Sequence, residues 1–220
     1  LRGGGKESIR IADNGSGISP GDVPVAFERH ATSKILTVED LYAVRSFGFR
    51  GEALPSIAAI ARVEMATRRR GDVEGTRIVV ENGRILEQEA VGCPEGTTIT
   101  VSRIFDALPV RRKFLRQDAT EQGHCLDTIV RVLLPHRHVR ATVTAGDRTV
   151  LEVPRTESLR DRIVLLLGSD LRNHLVAVEA DAPGMRLAGF ASRPDFTRSS
   201  TRSMFFYVNG RYVRDVLLSQ

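Results

Sequence analysis

The sequence predicts an α+β or mixed α/β fold in two domains. Three observations carry this. Period-2 runs rich in β-branched residues alternate with helical spacings along all 220 residues. Four such runs, VEMATRR, GTRIVVENG, RILEQEAV and GTTITVSRI, follow one another, with a hairpin signal at Glu81-Asn82-Gly83-Arg84. The polar stretch PRTES (154–158) interrupts the pattern and sets the expected boundary, giving domains 1–153 and 154–220. A chain of this length buries a real core in one large domain or two modest ones.

Taken in order, a strand over Glu7–Ala12 runs into Asp13-Asn14-Gly15-Ser16-Gly17, and Ser19-Pro20 starts a short helix over 21–28. RHATSKI (29–35) reads as loop and TVEDLYAV (37–44) as a Thr-capped helix. SFGFRG (46–51) is again loop, before a helix over 52–63 that holds Pro55 in its first turn. The four strands follow, then a helix over 119–134 stopped by Pro135. Strands 138–145 and 148–153 turn about Gly146-Asp147. Thr156 or Ser158 caps SLRDRIVLLLG, which ends at Gly168. HLVAVEA, MRLAGFA and MFFYVNG are short strands. There is no internal repeat and no low-complexity tract.

Composition narrows the function classes. The balance of 41% hydrophobic and 27% charged residues is that of a soluble globular chain, and no apolar run approaches the ~20 residues of a membrane span. LRGGGKES lacks the apolar stretch of a signal peptide. A net charge of +5 permits nucleic acid without demanding it. The absence of Trp and the 5% of aromatics argue against a wide base-stacking platform. Cys93 and Cys125 have no metal-like spacing and are expected to be reduced. The five histidines form no ligand-spaced set, and His136 and His138 read as solvated.

Three segments carry chemistry. In DNGSGI, glycines allow positive φ and remove the Cβ that would hold a ligand off, while Asp13 can accept from an exocyclic amino group such as adenine's. A tight hairpin is the competing reading. In GFRGEAL (48–54), a glycine loop feeds a helix N-terminus, the logic of a phosphate cradle without P-loop spacing. The alternative is that Glu52 only complements the helix dipole. In ATSKI (31–35), Thr32, Ser33 and Lys34 can present two hydroxyls and an ammonium to phosphates or their metal, or form a solvated loop. Two basic sets remain: Arg103, Arg111, Arg112, Lys113 and Arg116, and then Arg193, Arg198, Arg202, Arg211 and Arg214. The first is open between surface ion pairing and a DNA role.

DNGSGI, RHATSKI, GFRGEALPSI, GTTITV and LPVRRKFL, in that order and followed by VNGRYVRD, resemble the MutL/PMS family of DNA mismatch-repair proteins. The resemblance implies a Bergerat-type α/β sandwich, a mixed sheet covered by helices, of the superfamily that includes gyrase-type topoisomerases, chaperones and histidine kinases. A smaller α/β domain like a ribosomal protein's would follow. It implies ATP and Mg²⁺ as cofactors. Asp13 would take the adenine amino group, with Gly15 and Gly17 beside the base and Thr97 or Thr98 in support. Thr32, Ser33 and Lys34 would lie in a lid. Gly48, Phe49, Arg50, Gly51, Glu52, Ala53 and Leu54 would wrap the phosphates. Non-specific DNA binding would involve Arg202, Arg211 and Arg214. Nucleotide-driven homodimerisation, a mismatch-recognition partner of the MutS type and a cytoplasmic, nucleoid-associated location are implied too.

The family's ExxxN segment, with its general-base glutamate and metal-binding asparagine, is not found in these 220 residues, nor is the lysine that follows VNGR in the family. No catalytic residue or metal ligand is therefore assigned. The alternatives are a non-hydrolysing nucleotide- or DNA-binding module and a type II topoisomerase ATPase subunit. The second is disfavoured by GFRGEAL and VNGRYVRD. Loss of a general base costs about 10²–10⁴-fold, so this polypeptide is expected to turn over Mg·ATP hardly at all. A steady-state assay giving family-like turnover would contradict that.

Overall fold

The computed structural model describes residues 1–29, 51–197, 203–215 and 217. They form two compact units, Leu1–Cys125 with Ala145–Arg148, and Leu126–Thr144 with Thr149–Gln220. The first contains β1 (Ser8–Asp13), α1 (Asp22–Val25), α2 (Ala53–Ala58), β2 (Arg62–Arg68), β3 (Gly75–Glu81), β4 (Arg84–Val91), β5 (Gly96–Ser102) and α3 (Pro109–Arg112). Helix α4 (Asp118–Leu133) starts in this unit and ends in the second. The expected helix over 37–44 lies outside the described residues.

The strands make one sheet in the order β1-β5-β2-β3-β4. The expected mixed sheet is antiparallel in every described pairing, and for β3 and β4 the two-residue turn Asn82-Gly83 requires it. Register then aligns side chains in rows across one face. Ile9, Val101, Val63 and Val80 form the first row, and Ile11, Ile99, Met65 and Ile78 the second. Asp13, Thr97, Thr67 and Thr76 form the third. The inner members of the first two rows, with Val23 of α1 and Ala58 of α2, are the core of the unit. The helices therefore cover the inner strands on this face, while Ile11 of β1 stays exposed, and the polar third row sits at the rim.

The other face is charged. Arg77 binds Glu64 and Glu89 at 2.8 Å and Glu87 at 3.0 Å, and Arg62 meets Glu81 at 3.3 Å. The hydrogen bond from Arg77 holds the Glu64 carboxyl below its ordinary range. Val63, Met65 and Thr67 against Arg62, Glu64 and Arg68 is the alternation that lets β2 be read from sequence.

The helix expected over 52–63 is shorter. The Gly83 N–H binds the Ala58 carbonyl at 3.0 Å, the Phe105 N–H binds the Ile60 carbonyl at 2.8 Å, and β2 begins at Arg62. These long-range bonds take carbonyls that a longer helix would have used.

The second unit adds β6 (Ala141–Ala145), β7 (Arg148–Val153), α5 (Leu159–Leu167), β8 (Leu175–Ala182), β9 (Met185–Ser192), β10 (Phe206–Val208) and β11 (Arg211–Val213), in three hairpins and a helix. Its interior is organised by Arg162, which is fully buried. The guanidinium donates to the carbonyls of Leu133 (3.1 Å), Pro154 (2.7 Å), His136 and Val139 (both 2.8 Å). One cation so closes the C-terminus of α4, fixes the turn after Pro135 and anchors the exit from β7. This explains why the strand expected from residue 138 begins at Ala141. It also leaves His136 half-buried rather than solvated, and burial lowers its pKa. Ser158 is the cap of α5, its Oγ accepting from the Asp161 N–H at 3.0 Å. The Tyr207 hydroxyl donates to the Arg131 carbonyl at 2.8 Å, tying β10 to α4.

Candidate functional site

Asp13 ends β1, where the chain leaves the sheet. Its Oδ1 accepts the Gly15 N–H at 2.8 Å and the Thr97 N–H at 3.3 Å. Both donors converge on one oxygen. Oδ2 takes no hydrogen bond from the described residues and Asp13 is exposed, so an acceptor faces outward at the rim of the sheet. A Cβ on Gly15 would stand 2.7 Å from Oδ1, so a side chain there would press on the carboxylate.

Behind Asp13 the third row continues inward. Thr97 Oγ1 lies 2.9 Å from Thr67 Oγ1, which is 3.1 Å from the Gly96 carbonyl and accepts the Ile18 N–H at 3.0 Å. Thr67 is 1% exposed. One hydroxyl thus joins β2, β5 and the loop that follows Asp13. Thr67 belongs to none of the motifs singled out in the sequence. Its signal there is a hydroxyl at an inward position of a strand whose other inward residues, Val63 and Met65, are apolar.

Gly17 has φ +70°, and a Cβ on it would collide with the Arg68 carbonyl oxygen. Gly96, at φ +102°, is equally confined by the Asp13 carbonyl. The Arg70 N–H binds the Ser16 carbonyl at 3.0 Å. The DNGSGI loop is thereby folded back onto the end of β2, and Gly17 is required by the protein's own backbone.

Register separates the two candidate threonines. Thr97 lies opposite Asp13 and Thr67, whereas Thr98 lies opposite Ala12 and Ala66 on the other face. A strand's period of two means that support for Asp13 comes from Thr97, not Thr98. Gly51, at φ +63°, leads into Glu52, the N-cap of α2, and Ala53 and Leu54 form its first turn. Ala58 of α2 joins the core on the same sheet face as Asp13. Thr32, Ser33, Lys34, Gly48, Phe49 and Arg50 lie outside the described residues.

The basic sets divide. Arg103 pairs with Glu81 at 3.1 Å and Arg112 with Asp106 at 2.8 Å, which favours surface pairing for these two. In the second unit Arg193 meets Asp195 at 3.5 Å. Arg211 opens β11 across from Val208 and is half-buried, and Arg214 is exposed. Arg198 and Arg202 lie outside the described residues. Among the described residues no group of three or more His, Cys, Asp or Glu is placed to hold a metal ion, and no helix is long and apolar enough to cross a membrane.

An antiparallel sheet with helices on one face, and a strand-end carboxylate before a glycine loop, define the Bergerat-type fold of the GHKL class. Solved structures agree. The MutL ATPase domain of Aquifex aeolicus complexed with ADP is similar at a TM-score of 0.70 and 29% identity, over 97% of this chain and 73% of that one. The N-terminal domain of a DNA repair protein is similar at a TM-score of 0.78 and 26% identity, over 98% and 68%.

Among sequences, the DNA mismatch repair protein MutL of Syntrophus aciditrophicus is 53% identical over 219 residues, all of this chain and 36% of that protein. That of Geobacter sulfurreducens is 42% identical over 215 residues, 98% of this chain and 35% of that protein. The family described as DNA mismatch repair protein, C-terminal domain, matches residues 163–220. Over nearly its whole length the chain is similar to MutL proteins of DNA mismatch repair, and it spans about a third of the length of these relatives.

The glycine geometry yields a paired test. Gly17→Ala meets both a left-handed φ and a carbonyl oxygen, and is expected to lower stability by at least ~1–3 kcal/mol. Gly21→Ala, exposed at φ −70° with nothing near its would-be Cβ, is expected to stay within ~0.5 kcal/mol of the parent. Urea denaturation checks both, and equal midpoints would contradict the packing argument.

Proposed function

We propose that this region binds ATP, with the adenine at the Asp13 end of the sheet, and serves a MutL-type protein in DNA mismatch repair. The observation that carries the reading is the Asp13 carboxylate. Two backbone N–H groups fix one oxygen, and the other is left for an exocyclic amino group. An acceptor held this way is preorganised, so binding does not have to order it. The similar Aquifex MutL ATPase domain is described as complexed with ADP, which supports a nucleotide here.

In this proposal Gly15 and Gly17 border the base, and Thr97 backs Asp13. Gly48, Phe49, Arg50, Gly51, Glu52, Ala53 and Leu54 gather the phosphates through main-chain N–H groups, helped by the N-terminal end of α2. Thr32, Ser33 and Lys34 close over them. Mg²⁺ would accompany the nucleotide and neutralise phosphate charge, with no described residue assigned to it. Residues 1–153 form the nucleotide domain and 154–220 belong to the second domain. Nucleotide binding drives pairing of two copies and signals to a MutS-type partner. DNA is held by its backbone, with Arg202, Arg211 and Arg214 as phosphate contacts.

Removing the acceptor takes away a hydrogen bond to a charged group, about 1.5–3 kcal/mol. Asp13→Ala should therefore bind a non-hydrolysable ATP analogue roughly 10–100-fold more weakly by calorimetry. Unchanged affinity would sink the adenine assignment. For DNA, taking away one cation that neutralises a phosphate should lower the salt slope by ~0.9. Arg211→Glu should weaken duplex binding and flatten log K against log salt, and an unaltered plot would remove Arg211 from the interface.

A further inference from the structure

We infer that Thr67 is a specificity-determining residue: it fixes the direction of the Thr97 hydroxyl and thereby makes the pocket select 6-amino over 6-oxo purines. This rests on the adenine site proposed above.

Proton counting gives the direction of each bond. A threonine hydroxyl has one proton to give and two lone pairs to receive. The Gly96 carbonyl can only accept, so at 3.1 Å it takes the single Thr67 proton. The Ile18 N–H can only donate, and at 3.0 Å it fills one lone pair of Thr67 Oγ1. The 2.9 Å contact between Thr67 and Thr97 then requires its proton from Thr97. Thr97 is thereby left with lone pairs alone for anything beside it. Thr67 is 1% exposed, so no water relieves this arrangement.

Register places Thr97 next to Asp13 on the same sheet face. The Asp13 carboxylate is itself an acceptor, so both polar groups at the rim ask for a donor. The amino group of adenine is one. The 6-oxo group of hypoxanthine or guanine is an acceptor and would face like groups, and buried unpaired acceptors are what a polar site penalises most. A valine at position 67 keeps the side-chain shape but frees the Thr97 proton. That proton can then turn toward the base and serve a 6-oxo group.

The test compares ADP with inosine diphosphate, which differ in the 6-substituent and in the N1 proton that accompanies the oxo form, binding to the 220-residue chain. The readout is the ratio of the two dissociation constants, which a loss of stability shared by both ligands does not move. The parent should prefer ADP. Thr67→Val should shrink the ratio by roughly tenfold, mainly through tighter inosine diphosphate binding, and Thr67→Ser should restore it. If Thr67→Val does not fold, Thr97→Val on the rim carries the test, since it removes the same acceptor, and its ratio should shrink likewise. A folded Thr67→Val with the parent's ratio, an unchanged ratio in Thr97→Val, or a serine variant as permissive as valine would overturn this inference alone. A parent that binds neither nucleotide would overturn the adenine site itself, and the inference with it.

Discussion

The antiparallel register that aligns Asp13, Thr97, Thr67 and Thr76 is the constraint on which the site depends. A slip of one residue in β1 would carry Asp13 to the charged face, and Ile9 and Ile11 with it. The inner parts of the two apolar rows, Val101 to Val80 and Ile99 to Ile78, hold the register that β1 pairs with, because they pack with Val23 of α1 and Ala58 of α2. The core thus does more than stabilise the unit. It places one carboxylate at the rim with its face already chosen. The Thr67 hydroxyl then locks β2, β5 and the loop after Asp13 at the point where the apolar rows end.

That arrangement also changes what the glycines of DNGSGI are for. Gly17 stands where the Arg68 carbonyl leaves no space for a Cβ, and Gly96 stands against the Asp13 carbonyl. Both serve contacts within the protein. Gly15 is the glycine that bears directly on the carboxylate, through its N–H and through the room it leaves beside Oδ1. A sequence motif of this kind records two requirements at once, close packing of backbone on backbone and a fixed acceptor.

The legible parts of the fold are those set by local chemistry. Asn82 and Gly83, at φ +51° and +72°, make the turn that their pairing announces. The alternation of β2, the Ser158 cap and the stop of α4 before Pro135 also depend on residues close in sequence. The features that a sequence does not display depend on partners far along the chain. The Ala58 and Ile60 carbonyls go to Gly83 and Phe105, which shortens α2. Arg162 reaches back to Leu133, His136 and Val139, which delays β6 and buries part of His136. Thr67 needs Ile18, Gly96 and Thr97 before its role can be seen. Asp13 itself is readable, but the choice of Thr97 over Thr98 needs the register.

The central claim is that the Asp13 end of the sheet, held by the threonine row, is where adenine sits. Backbone amide shifts during titration with ADP test it most directly. The account predicts saturable shifts at the amides of Gly15, Gly17 and Thr97, abolished in Asp13→Ala while the rest of that variant's spectrum stays native. Saturable shifts that leave these three amides in place, or that persist in Asp13→Ala, would contradict it.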